Sequence, residues 1–178
     1  MPVRDTMCSV GMLPGETIVD GWSDFYVAQV GASAALAGLL FVAISISLSD
    51  IVSFPHLPMR AAGTLTILAT VLFTSMLMLI PDQSIRTAGF EVLGVGLVAA
   101  CVTLWMGVTS ARATPEEHRR DSRFSVSSKI TATAIFIASG LLMAVTDEHG
   151  PELIVLGCIV SYIVALLDAW VLLIEVHR

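Results

Sequence analysis

The sequence predicts an all-α, polytopic membrane bundle of five transmembrane helices, and three observations carry that prediction. Hydrophobic residues fill 56% of the 178 positions and charged residues only 13%, with a mean hydropathy of +0.86. The apolar residues are gathered into long runs instead of recurring at the spacing of a soluble core. Five of those runs approach the roughly 20 residues that a helix needs to cross a hydrocarbon layer about 30 Å thick. They fall at about 24–49, 61–80, 87–109, 128–146 and 152–175, which leaves an N-terminal segment, 1–23, and one transmembrane domain, 24–178.

The N-terminal segment carries Arg4, Asp5, Glu16 and Asp20. It lacks the apolar stretch of roughly 7 to 15 residues that a signal peptide requires, so it is expected to be mature sequence. Cys8 follows no hydrophobic region and reads as a free thiol, not a lipid anchor.

In the first span, "FYVAQVGASAALAGLLFVAISISLSD", Gly31, Ala35, Gly38, Val42 and Ser45 fall on one stripe at 100° per residue. Small residues at this spacing let two backbones approach closely in a membrane. The partner is either another helix of the chain, the preferred reading, or the same helix of a second copy. Gln29, Ser33 and Ser47 align on roughly the opposite side, and Trp22, Phe25 and Tyr26 read as an interfacial aromatic anchor.

The link "DIVSFPHLPMR" holds two prolines that stop a helix from running through, with His56 as an exposed loop residue. The second span carries Thr66, Thr70 and Thr74, which are expected to bond back to their own helix, and "PDQ" ends it. The third repeats the small-residue theme with Gly96, Ala100, Thr103 and Gly107. Its Glu91 lies within about a turn of the boundary, where its carboxylate reaches water. The stretch 110–127 contains "TPEEHRRDSR", in which Thr114, Pro115 and Glu117 make a capping box and predict a short helix. Arg119, Arg120 and Arg123 stand beside it, each worth about 1 kcal/mol if it meets an anionic headgroup; orientation alone also accounts for the cluster. The fourth and fifth spans join through "TDEHGPE". Asp147, Glu148, His149 and Glu152 have no spacing that fixes a metal geometry, so neither a metal nor any other cofactor is predicted.

Lysine and arginine set the orientation. Arg4 and Arg86 fall on one side, and Arg60, Arg112, Arg119, Arg120, Arg123, Lys129 and Arg178 on the other, which makes the second side cytoplasmic and puts the amino terminus outside. The net charge of -6 comes mostly from an outer acidic rim and argues against a nucleic-acid partner. Cys101 and Cys158 sit at different depths in their spans, so a disulfide between them is not expected.

The strongest functional signal is Asp168, in "VALLDAWVLLIEVHR". It lies about 22 Å from the outer end of its helix, where insertion scales charge an aspartate roughly 2.5 to 3.5 kcal/mol, so it should face protein or water. Ser161, Asp168 and Glu175 recur every seven residues and form a polar stripe opening to the cytoplasm. Two readings stand open. In the first, Asp168 pairs with Arg60, which enters from the same side, and the pair locks two helices together. In the second, Asp168 lines a watery pathway and exchanges protons or attracts cations.

An enzyme is not predicted. There is no zincin motif, phosphate loop, nucleotide fingerprint or nucleophile elbow, and His56, His118, His149 and His177 all lie outside the spans.

The run "WSDFYVAQVGASAALAGLLFVAISISLSDI", with the arginine at the start of the second span and "LIPDQS" at its end, resembles a family of small bacterial membrane proteins of unknown function, sometimes labelled modulators of an FtsH-type protease. The resemblance covers residues 22 to about 95. It implies a membrane protease as a possible partner and assigns no residue a role. The expected setting is the bacterial cytoplasmic (inner) membrane. The expected function is a homo-oligomeric ion or small-solute pathway, lined by the Gln29, Ser33 and Ser47 face or by the Ser161, Asp168 and Glu175 face. The alternative is an accessory or scaffold subunit of a larger membrane complex.

Overall fold

A computed structural model of the chain describes residues 22–53, 57–113, 119–146 and 150–176. These residues form α1 (Ser23–Ile46), α2 (Leu48–Ser53), α3 (Leu57–Leu77), α4 (Ile85–Ala113), α5 (Arg119–Thr146) and α6 (Pro151–Val176), with no strand among them. Five of the six are long and apolar enough to cross a bilayer, and the protein is a multi-pass membrane protein.

The helix limits follow local chemistry. The first span breaks at Ser47, whose backbone N–H still reaches Ala43 O at 3.2 Å, and the chain resumes as the short α2. α3 starts earlier than the apolar run, at Leu57, because Pro58 sits in the first turn, where a missing N–H costs nothing. It ends at Leu77, four residues before Pro81, as Leu79 N and Ile80 N tighten onto Met76 O and Leu77 O, both at 3.2 Å. Ser84 caps α4: its hydroxyl accepts the N–H of Thr87 at 3.2 Å. The start of the short helix expected within 110–127 lies outside the described residues, and its later part, from Arg119, belongs to α5. α4 extends to Ala113 and α5 begins at Arg119, so the charged stretch at its start is continuous with the span that follows. Thr114, Pro115, Glu117 and His118 lie outside the described residues, as do Cys8, His56, Asp147, Glu148, His149 and His177.

α3 is the centre of the bundle. It packs against α1, α4, α6 and, more lightly, α5, and half of its membrane window is buried, against 11% for α1. α4 and α5 form the most extensive pair. Their crossing needs glycine on both sides: a Cβ at Gly140 would stand 2.5 Å from the Leu93 backbone nitrogen, and one at Gly89 would stand 2.7 Å from the Ala144 nitrogen. Gly96 continues this seam against Ile137 and Gly107 against Val126, with Ala100 half-buried between them.

The stripe on α1 behaves differently. Among the described residues nothing lies within 4 Å of a Cβ placed at Gly31 or Gly38, and Ala35 is exposed. The preferred intrachain partner is therefore not found; α1 packs on α3 through Ser33, Leu40 and their neighbours and turns its small face outward. Tyr26 is also not an interfacial anchor. It is fully buried in a core cluster with Val71, Met78, Phe136 and Cys158, while Trp22 and Phe25 pack edge-on beside it at the helix end.

Candidate functional site

α3 and α5 begin, and α6 ends, at one end of the bundle, so charged residues near those termini meet at one depth. Arg60 lies three residues beyond Leu57 on α3, Lys129 ten beyond Arg119 on α5, and Asp168 eight before Val176 on α6. Arg60 is about one turn, roughly 5 Å, from the start of its helix, and Lys129 and Asp168 are roughly 15 and 12 Å from the nearer ends of theirs.

The three side chains converge on the Asp168 carboxylate, which is only 5% exposed. Its Oδ1 accepts hydrogen bonds from Arg60 Nη2 at 3.0 Å, Arg60 Nε at 3.1 Å and the Ser125 hydroxyl at 3.0 Å. Its Oδ2 accepts from Lys129 Nζ at 2.7 Å, and the Thr64 hydroxyl lies 3.1 Å away. Arg60 spends both of these donors on one oxygen and leaves the other to lysine. Lys129 Nζ also donates to the Arg60 carbonyl at 3.3 Å, which ties α5 to the first turn of α3 independently of the carboxylate.

The expected Arg60–Asp168 pair is thus present, within a larger cluster. Two cations meet one carboxylate, so with all three ionised the cluster carries a formal charge of +1. Two buried cations share the neutralisation of one anion, and hydroxyls from α3 and α5 fill the remaining lone pairs, the condition under which a buried ion cluster is tolerated.

Three members of this site were not singled out from the sequence. Lys129 figured only as an orienting charge, although it stands inside the apolar run and on the same side as Arg60. Thr64 lies four residues after Arg60, hence on the same face, a legible spacing. Ser125 gives no signal, because a hydroxyl near a span boundary is unremarkable. Gly63 provides the room: a Cβ there would meet Lys129 Nζ at 3.0 Å and two carbons of its stem at 3.4 Å.

The other predicted polar residues go elsewhere. Ser161 is fully buried with no hydrogen-bond partner in the structure. It is buried within the chain, as Asp168 is; Glu175 belongs to α6, and its side chain lies outside the described residues. Gln29 receives the Tyr162 hydroxyl proton at 2.5 Å, and Ser33 donates back to the Gln29 carbonyl at 2.7 Å. Ser47 alone of that face lines an open groove, described below. Thr66 and Thr70 bond back to Ala62 O and Thr66 O at 2.9 and 2.8 Å, whereas Thr74 has no partner. Glu91 accepts from Gln83 Nε2 at 2.7 Å. Cys101 and Cys158 are both free. No group of three or more metal-ligating side chains is found among the described residues.

Set against protein-family models, characterised proteins and solved structures, the chain matches none. The charged cluster and the faces around it are therefore the basis for a functional reading.

Proposed function

We propose that this protein is an accessory or scaffold subunit of a larger membrane assembly, a membrane protease being one such partner, and that it acts through its membrane-facing surface. The observation that supports this reading is the fate of the polar groups. Asp168, Gln29 and Ser33, three of the groups that would serve an ion pathway, are engaged within the chain by helix-to-helix and helix-to-backbone bonds. By contrast α1, the least buried span, presents Gly31, Ala35 and Gly38 outward, where a helix of another subunit can approach closely. The placement in the bacterial cytoplasmic membrane, with the amino terminus outside, belongs to the same proposal and rests on the distribution of arginine and lysine.

The experiment is purification of the tagged full chain from its native membrane, with and without Gly38→Leu. Co-purification of another membrane protein at fixed ratio, weakened by the substitution, is the expected result. A homo-oligomeric pathway remains the second reading, since the same α1 face accepts another copy of the chain. A homogeneous self-assembly that conducts ions in liposomes, with a flux altered by Asp168→Asn in a protein of unchanged size and helicity, would replace the scaffold reading.

A further inference from the structure

A groove of about 360 Å³ opens between α1 and α6, with Leu40, Ala43, Ser47 and Ile51 on one side and Ala169 and Trp170 on the other. Its lining is almost wholly apolar, and its volume lies in the range of small-molecule sites. Behind Leu40, Leu65 and Leu68 of α3 pack with it and with Ala165. One end of the groove borders the charged cluster. Ile51 shares an apolar cluster with Leu57 and Ala61, which flank Arg60 on α3, and Ala169 directly follows Asp168 on α6. Trp170, 64% exposed at that end, is the amphipathic side chain that favours the headgroup level.

With all three groups ionised, the cluster beside this end carries one excess positive charge. Of its three ionic side chains, Arg60 is the one that reaches the surface, at 16% exposure against 4% for Lys129 and 5% for Asp168. An uncompensated cation in a membrane-spanning segment is costly, and a phosphate at the headgroup level offsets it. A zwitterionic headgroup brings its own cation and does so less well.

We propose that the groove holds an acyl chain of an anionic glycerophospholipid whose phosphate lies against Arg60. The tail is selected by the apolar walls and the head by the unbalanced charge. A bound lipid of this kind bridges α1 and α6 alongside their direct side-chain contacts, Tyr162 with Gln29 and Ala165 with Leu40.

The test uses the full-length protein in mild detergent, with native mass spectrometry of lipid adducts. Dioleoyl phosphatidylglycerol and dioleoyl phosphatidylcholine are supplied in equal amounts, and inorganic phosphate is tested alone in thermal-shift assays. One phosphatidylglycerol per chain is expected, retained about fivefold better than phosphatidylcholine, the factor that one basic charge near a headgroup is worth. Ala43→Trp, which fills the groove without touching the cluster, is expected to abolish the adduct. Leu39→Trp, at another exposed position of the lining, serves if Ala43→Trp does not fold. Equal retention of the two lipids overturns the headgroup assignment. An adduct that survives groove filling overturns the tail assignment. Thermal stabilisation by phosphate alone equal to that by the lipid reduces the site to an anion site and overturns the proposal, as does a dimer that excludes lipid from the groove.

Discussion

Replacing Asp168 by asparagine removes one negative charge and almost no volume, so its effect isolates the ionic part of the cluster. The amide oxygen can still accept from Ser125, Thr64 or one cation, but the cluster changes from a formal +1 to +2, with Lys129 only 4% exposed. Removing one member of a buried ion pair costs about 3 to 5 kcal/mol, because the remaining charge stays buried without compensation. For a chain of 150 to 250 residues each kcal/mol moves the midpoint by about 2 to 4 °C, so the expected fall is roughly 6 to 20 °C. The assay is thermal unfolding in detergent followed by helical circular dichroism and by size-exclusion recovery. Asp168→Asn combined with Lys129→Gln restores the formal charge to +1, and the pair should therefore show a favourable coupling of about 0.5 to 3 kcal/mol relative to the sum of the single effects. A single substitution within about 0.5 kcal/mol of the parent, or strictly additive single effects, would refute the argument that the carboxylate holds three helices together.

Gly63→Val places two methyl groups where Lys129 runs, and a loss of about 1 to 3 kcal/mol is expected in the same unfolding assay, largely absent when Lys129 is already alanine. Gly140→Ala is expected to cost about 3 kcal/mol or more despite alanine's higher helix propensity, since its Cβ meets the backbone of α4 at 2.5 Å and that backbone cannot rotate aside; urea or SDS titration measures it. A Cβ at Gly31 meets nothing within 4 Å among the described residues, so Gly31→Leu should leave the stability of the isolated chain within about 0.5 kcal/mol, and any change confined to co-purification reports an outside partner. A reporter fused after Arg178 should behave as cytoplasmic: fluorescent protein bright, alkaline phosphatase inactive.

The number and order of the spans were legible because bilayer thickness sets a length that an apolar run either reaches or does not. The ion pair was legible for a related reason: a carboxylate at that depth needs a partner, and Arg60 enters from the same side. Lys129 was harder to recognise because a lysine near a span end serves equally well as an orienting charge that snorkels to water. Its burial depends on Gly63 of another helix, a complementarity that no period within one segment displays. The α1 stripe shows the opposite gap. Spacing identifies a face made for close approach, but what stands opposite it is a tertiary fact, and here none of the described residues does. Tyr26 follows the same logic, since an aromatic near a span end suits the interface or the core, and its position over Phe136 and Cys158 decides for the core.

The arrangement of the cluster also explains why a small bundle tolerates such a costly feature. Helices in lipid gain little from burying apolar surface against one another, and so rely on tight packing and polar bonds for their register. The α4–α5 seam supplies tight packing through glycine. α3, α5 and α6 have only one small seam glycine of this kind at their shared end, Gly63, and it serves to admit a lysine. A carboxylate on α6 that accepts from α3 and α5 together fixes all three at one depth, since sliding any helix by a turn of about 5.4 Å would break two or more of these bonds at once. Arg60 or Lys129 alone would neutralise Asp168; with both, α3 and α5 each reach it through a charge as well as through a hydroxyl. The second cation is thus the structural addition, and the unbalanced charge it introduces is what leaves Arg60 available to an anion at the bilayer surface.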